Sequence, residues 1–135
     1  MSHFTRIRTQ LRDAEVLAEA LRAVGLPHVE VHDQPQTLYG YQGDARPEKA
    51  EVIVRREHIG AASNDIGFAR RPDDTFEAII SDFDRRRYGR GWLTKLTHTY
   101  SYAATLRYAE THGYEVATDE VQEDGTRRLT LRRTT

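Results

Sequence analysis

Apolar residues fall along this chain in two distinct rhythms. From Val16 to Val24 they recur three and four positions apart: Val16, Leu17, Ala20, Leu21 and Val24 make one stripe, the period of an amphipathic helix. Asp13 stands where an N-cap belongs, Glu15 places an acid in the first turn, and Gly25 with Pro27 supplies the stop. A second helix is expected from about Trp92 to His112, on the spacing of Leu93, Leu96, Tyr100, Ala103 and Leu106, with Gly113 ending it. His112 falls in its last turn, where an imidazolium complements the helix dipole, a structural role.

Elsewhere the period is two. Phe4 to Thr9 reads as a first strand, feeding the first helix through Arg12 and Asp13, with Phe4 or Ile7 reaching the core. Val29 and Val31 alternate with Glu30 and His32 up to a turn expected at Pro35. Leu38, Tyr39 and Tyr41 form a short strand broken by Gly40 and Gly43. Val52 to Val54 is the densest β-branched run. Ile66 and Phe68 alternate across Gly67, and after the turn "RPDDT" Phe76, Ala78 and Ile80 alternate with Glu77 and Ser81. Asp124-Gly125 reads as a two-residue hairpin turn, which sets Thr118 opposite Leu131 and Val116 opposite Arg133. Tyr114, Val116, Leu129 and Leu131 then share one face. The expected fold is a single α+β domain over residues 1–135: a mainly antiparallel β-sheet with two helices packed on one face.

Composition narrows the chemistry. Lys and Arg total 20 against 21 Asp and Glu, so no global field draws the chain to nucleic acid or membrane. Only Lys49 and Lys95 are lysines, and every other basic residue is Arg, whose planar fork suits carboxylates and phosphates. The absence of cysteine excludes disulfides, thiolate metal sites and cysteine nucleophiles. No apolar run approaches spanning length and no signal-peptide core is visible, so a cytoplasmic protein that engages no membrane is the expectation.

Motif chemistry is sparse. Phosphate-loop, dinucleotide, EF-hand and His-Glu-x-x-His patterns are missing, no cofactor is implied, and nothing demands an enzyme. His28 and His32 would share a side of a regular strand, the weak beginning of a metal site. Asp82 and Asp84 would likewise serve magnesium, or else pair with the arginines that follow. The segment "DRRRYGRGW" is the most unusual stretch. Arg85, Arg86, Arg87, Tyr88, Arg90 and Trp92 combine guanidinium donors with aromatic rings. That mixture suits single-stranded nucleic acid and equally suits a protein interface. Arg128 and Arg132 would extend the patch if the last strand lies nearby.

Five stretches, "MSHF" with "IRTQLRDAEVLAEALRAVGL", "GYQG", "NDIGF", "LTHTYSYAATL" and "EDGTRRLTL", follow one another in an order that resembles the hypothetical chloroplast reading frame thirty-five family. The chain departs from that family in "HDQPQT", in "REHIGAASN" and from Arg85 to Gly91. The family has no established activity, so the resemblance carries over no catalytic residue. It implies an accessory, complex-forming role, with an AAA-type ATPase or a ferredoxin-like protein as partner.

Overall fold

The computed structural model describes residues 3–134, so Met1, Ser2 and Thr135 lie outside the described residues. The elements run β1 (Phe4–Arg8), α1 (Ala14–Ala23), β2 (Glu30–Tyr39), β3 (Ala45–Val54), β4 (Ile66–Arg70), β5 (Phe76–Ser81), α2 (Arg90–His112), β6 (Tyr114–Val121) and β7 (Arg127–Arg133). Short 3-10 turns sit at Arg56–His58 and Asp84–Arg86. The first five strands form one antiparallel sheet in the order β1-β5-β4-β3-β2, and β6 pairs only with β7. The α+β architecture with its helices on one face of an antiparallel sheet is the one expected, except that the last hairpin stands apart as a second sheet.

Both helices follow their sequence signals. Asp13 Oδ1 accepts from the N–H groups of Glu15 at 2.9 Å and Val16 at 3.1 Å, satisfying two donors that the first turn leaves open. Val16, Leu17, Ala18, Ala20 and Leu21 are buried, and each leucine so removed from water contributes about 1.5–3 kcal/mol. Gly25 and Gly113 close the two helices at positive φ. α2 is far less amphipathic, and buries only Leu93, Leu96 and Ala109 fully. Its Tyr100 hydroxyl accepts from the backbone N–H of Arg12 (3.2 Å) and Asp13 (2.9 Å), tying α2 to the start of α1.

The sheet has apolar clusters on both faces. Ile66, Phe68, Phe76, Ala78 and Ile80 meet Leu17, Leu21, Leu93 and Leu96 beneath the helices. Phe4, Leu38, Ala50, Ile53 and Ile79 form a smaller cluster on the opposite face, which no helix covers. That face is closed by the sheet's own hairpin. Leu38 and Ala50, from the outer part of β2 and β3, lie directly over Gly67, where an added Cβ would stand 2.7 Å from the Ala50 Cβ.

Pro35 makes no turn. β2 continues through it as an edge strand, with an irregular register between Val31 and Gln36. An edge strand tolerates the missing N–H of proline, and the irregularity re-aims the residues beyond it. The expected second strand is therefore the outer end of the same β2, and Tyr41 lies in the turn after it. Val52 to Val54 likewise proves to be the inner end of a ten-residue strand.

The last hairpin turns through three residues rather than two. Gln122 N–H donates to Thr126 O (2.7 Å), Gly125 N–H donates to Gln122 O (3.0 Å), and Gly125 adopts φ 89°. Thr118 therefore faces Thr130, one position from the expected register. A second irregularity between Val116 and Thr118 sets Val116 opposite Leu131 and Tyr114 opposite Arg133, two positions from the expected register. On the turn side of it the Tyr102 hydroxyl of α2 donates to Asp119 Oδ2 at 3.1 Å.

Candidate functional site

Two of the family-like stretches meet at one end of the sheet. The loop before β4 carries Ser63, Asn64 and Asp65, all buried. Asn64 Oδ1 accepts from Tyr41 N–H at 2.8 Å, inside "GYQG". Asp65 Oδ2 accepts from Tyr39 N–H at 2.8 Å and from Arg55 at 2.9 Å, while its Oδ1 accepts from Arg56 N–H at 2.7 Å. Arg55 continues to Glu30 by two bonds of 3.0 Å, and Arg56 reaches the Ser63 and Tyr41 carbonyls. The bonds from Arg55, joined by His32, hold the Glu30 carboxyl below its usual range. Burial alone would lower the Arg55 pKa, but its carboxylate partners outweigh that and raise it.

Asp84 is the second anchor. Its Oδ2 accepts from Asn64 N–H (2.9 Å), the Asn64 amide (3.3 Å) and the Ser81 hydroxyl (2.7 Å). Asp82 instead is exposed and accepts from Thr5 (3.0 Å) and Arg85 (3.4 Å). The two aspartates thus face different surroundings and do not share a metal position, and only Asp82 pairs with the following arginines. The two histidines are separated in the same way: His28 stacks on His58 at 4.2 Å between ring centroids, and His32 Nε2 meets Glu30 at 2.8 Å.

This polar hub holds up an exposed ridge. Arg85, Arg86, Arg87 and Arg90 are all exposed. Arg86 donates to the Phe83 carbonyl at 3.2 Å and lies 4.4 Å over the Phe83 ring, and Arg87 lies 5.3 Å from the Tyr88 ring centroid. Tyr88 itself is buried, and Trp92 packs edge-on against it at 5.1 Å, both facing the core under the helices. The aromatic half of the expected mixture is thus turned inward. Phe83, 42% exposed, takes its place on the surface. Its position between two aspartates in a polar run was the available signal, an aromatic residue with no apolar neighbours to pack beside.

Beside the ridge opens a cleft of about 460 Å³ between Ile59–Ser63 and Phe83–Tyr88. A smaller recess of about 220 Å³, lined by Tyr41, Ala62, Asn64 and Phe83, adjoins it. Phe83 borders both. Asp84 lines the cleft with its Oδ2 engaged by Asn64 and Ser81, beside apolar surface and the guanidinium groups of Arg86 and Arg87. Arg128 and Arg132 lie on the separate hairpin, where Arg132 pairs with Glu115. Among the described residues no cluster of three His, Asp or Glu forms a metal site, and no helix is long and apolar enough to cross a membrane.

The chain is 25% identical over 138 residues to the uncharacterized protein ycf35 of Pyropia yezoensis, and 25% identical over 138 residues to that of Guillardia theta. It is 24% identical over 136 residues to that of Cyanophora paradoxa; each alignment covers 98% of both chains. No solved structure matches. The family described as "Protein of unknown function (DUF1257)" matches residues 20–130, from the end of α1 into β7, and the chain belongs to that family.

Proposed function

We propose that this protein is a non-enzymatic cytoplasmic accessory protein that binds a partner protein through the ridge of Arg85, Arg86 and Arg87 and the cleft beside Phe83. The carrying observation is Phe83, an exposed ring under the Arg86 guanidinium at the border of an apolar cleft. Aromatic and Arg side chains are enriched at the energetic centres of protein interfaces. The non-enzymatic reading is supported by what the buried carboxylates do: Asp65 and Asp84 each accept several hydrogen bonds that hold the loop before β4 in place. The partner this surface suits presents an apolar anchor flanked by acidic residues, and an AAA-type ATPase or a ferredoxin-like protein is the class that the family resemblance implies.

A second reading, RNA or other single-stranded nucleic acid, is favoured by the run of four exposed arginines at 85, 86, 87 and 90. It loses Tyr88 as a stacking platform, because that ring is buried, while Trp92 is half-buried and packed edge-on against it. One experiment separates the two. The wild-type chain and the double variant Phe83→Ala/Arg86→Glu are purified from the native cell, with co-purifying proteins identified by mass spectrometry. In parallel, both are titrated with a labelled oligonucleotide at physiological salt. A stoichiometric partner lost in the variant is the expected result. Recovery of background proteins only overturns the accessory reading, and tight oligonucleotide binding replaces it with the second.

A further inference from the structure

The arginines of the ridge also bracket the open edge of the main sheet. β1 is a terminal strand, paired on one side only, with β5. Thr9 N–H donates to Phe76 O at 3.1 Å, and Asp82 N–H donates to His3 O at 2.8 Å. In the register that pairs Phe4 with Ser81 and Arg8 with Glu77, those bonds assign the odd-numbered residues of β1 to the ladder with β5. Phe4, Arg6 and Arg8 therefore turn their backbone N–H and C=O groups outward, away from the sheet.

Along this edge runs a groove of about 240 Å³ between β1 and the first half of α2, lined by Ile7, Arg8, Arg90, Leu93, Thr97 and His98 among others. Ile7 and Leu93 both belong to the core packing beneath the helices. No acidic residue lines the groove. Arg8 and Arg90 form no ion pair among the described residues, and at the other end of the strand Arg85 donates to Thr5 Oγ1 at 3.2 Å. A strand edge with unused hydrogen-bonding groups is a template for another chain. A second copy of β1 is a poor occupant: antiparallel pairing about the strand centre would set Arg6 opposite Arg6, a repulsive cross-strand pair.

We infer that the outer edge of β1 receives an extended, acidic segment of a partner protein as a sixth strand of the sheet. Main-chain hydrogen bonds to Phe4, Arg6 and Arg8 supply the affinity. Apolar side chains on one face of the added strand meet Ile7 and Leu93, acidic ones on its other face meet Arg8, and Arg90 at the start of α2 adds positive charge beside the groove. This surface is distinct from the Phe83 cleft and stands whether or not that cleft binds a protein.

The test uses the full chain and a fluorescein-labelled heptapeptide of alternating Glu and Val. A twin peptide of the same sequence carries N-methyl groups on every second residue, in both phases, so that its strand edges cannot donate. Anisotropy at physiological salt measures affinity, and amide exchange locates the contact. The expected result is binding that slows exchange at Phe4, Arg6 and Arg8, and that N-methylation of one phase weakens about tenfold, the loss of one or two hydrogen bonds. Arg6→Pro, which deletes an outward N–H while sparing the ladder to β5, weakens binding more than Arg6→Gln does. Arg8→Glu/Arg90→Glu weakens it through charge alone, and gives a readout should the proline variant fail to fold. Absence of binding, indifference to N-methylation in both phases, or protection confined to Ile59–Ser63 overturns the inference. So does a single-stranded oligonucleotide that protects the same edge more strongly than the peptide.

Discussion

Gly67 shows how much a single residue decides here. It sits in the middle of β4, where a glycine ordinarily weakens a strand because it costs entropy and packs nothing. In this fold the space its side chain would fill is occupied by Leu38 and Ala50, which close the helix-free face of the sheet. An alanine Cβ would stand 2.7 Å from the Ala50 Cβ and 2.9 Å from a Leu38 methyl. Overpacking of that kind costs about 1–3 kcal/mol. Gly67→Ala should therefore lower the midpoint of chemical denaturation, while Gly91→Ala, where a Cβ meets nothing within 4 Å, should leave it unchanged or raise it. Equal midpoints for the two variants would show that the hairpin does not bend over β4 as described. The neighbouring Asn64 and Asp65 act in the same place. Their side chains accept from the backbone of Tyr39 and Tyr41, so one short stretch both admits the hairpin and clamps it.

Among the elements, the last hairpin is the least anchored. A two-stranded sheet alone is marginal in water, and β6 and β7 have no third strand. What holds them is a set of half-exposed contacts with α2: Tyr102 to Asp119 at 3.1 Å, and Arg127 at 4.1 Å over the Tyr102 ring and at 3.2 Å from Asp119. No residue of either strand is buried. The amides of β6 and β7 should accordingly exchange with solvent faster than those of β3, β4 and β5, and Tyr102→Phe should speed them further without changing global stability. Uniform protection across both sheets in an amide-exchange experiment would contradict this. The register of the hairpin illustrates a limit of local reading. Asp124-Gly125 correctly marks the turn, but the same dipeptide fits a two-residue and a three-residue loop, and the chain takes the longer one with Gly125 at positive φ.

On the scale of the whole molecule, charge is organised rather than abundant. The net charge is -1, yet cations stand along the β1 edge of the sheet, from Arg85 to Arg8 and Arg90. Carboxylates are drawn inward to hold Arg55 and the hairpin. Glu30 carries the pH consequence. Arg55 keeps its folded pKa below the ordinary 4.5, so its contribution to stability is present above 4.5 and is lost as pH falls through the folded value. Glu30→Gln should therefore lower stability at neutral pH and flatten its loss between pH 4.5 and more acid conditions, as measured by thermal unfolding across that range. A variant whose acid limb matches the wild type would remove Glu30 from the linkage. The effect will be modest, because the Glu30 side chain is 38% exposed and water screens the pair.

The division between local and tertiary information follows these same residues. The amino-acid sequence alone determined both helices, the caps of α1 and the glycine stop of α2, because the stripe from Val16 to Val24 and the stops at Gly25 and Gly113 depend only on neighbours along the chain. It determined the first strand, the antiparallel class and the family likeness for the same reason. It marked the arginines at 85, 86, 87 and 90 as a surface, and they are exposed. Only the tertiary structure decided that Tyr88 and Trp92 turn inward while Phe83 turns outward, because burial of an aromatic ring depends on which distant side chains arrive to cover it. It also decided that Pro35 continues a strand, since an edge position is a property of the assembled sheet. The roles of Asn64, Asp65 and Gly67 were unreadable beforehand because their partners, Tyr39, Tyr41, Leu38, Ala50 and Asp84, lie between 17 and 29 positions away in sequence. Hydrogen bonds and close contacts of that range exist only once the chain has closed on itself.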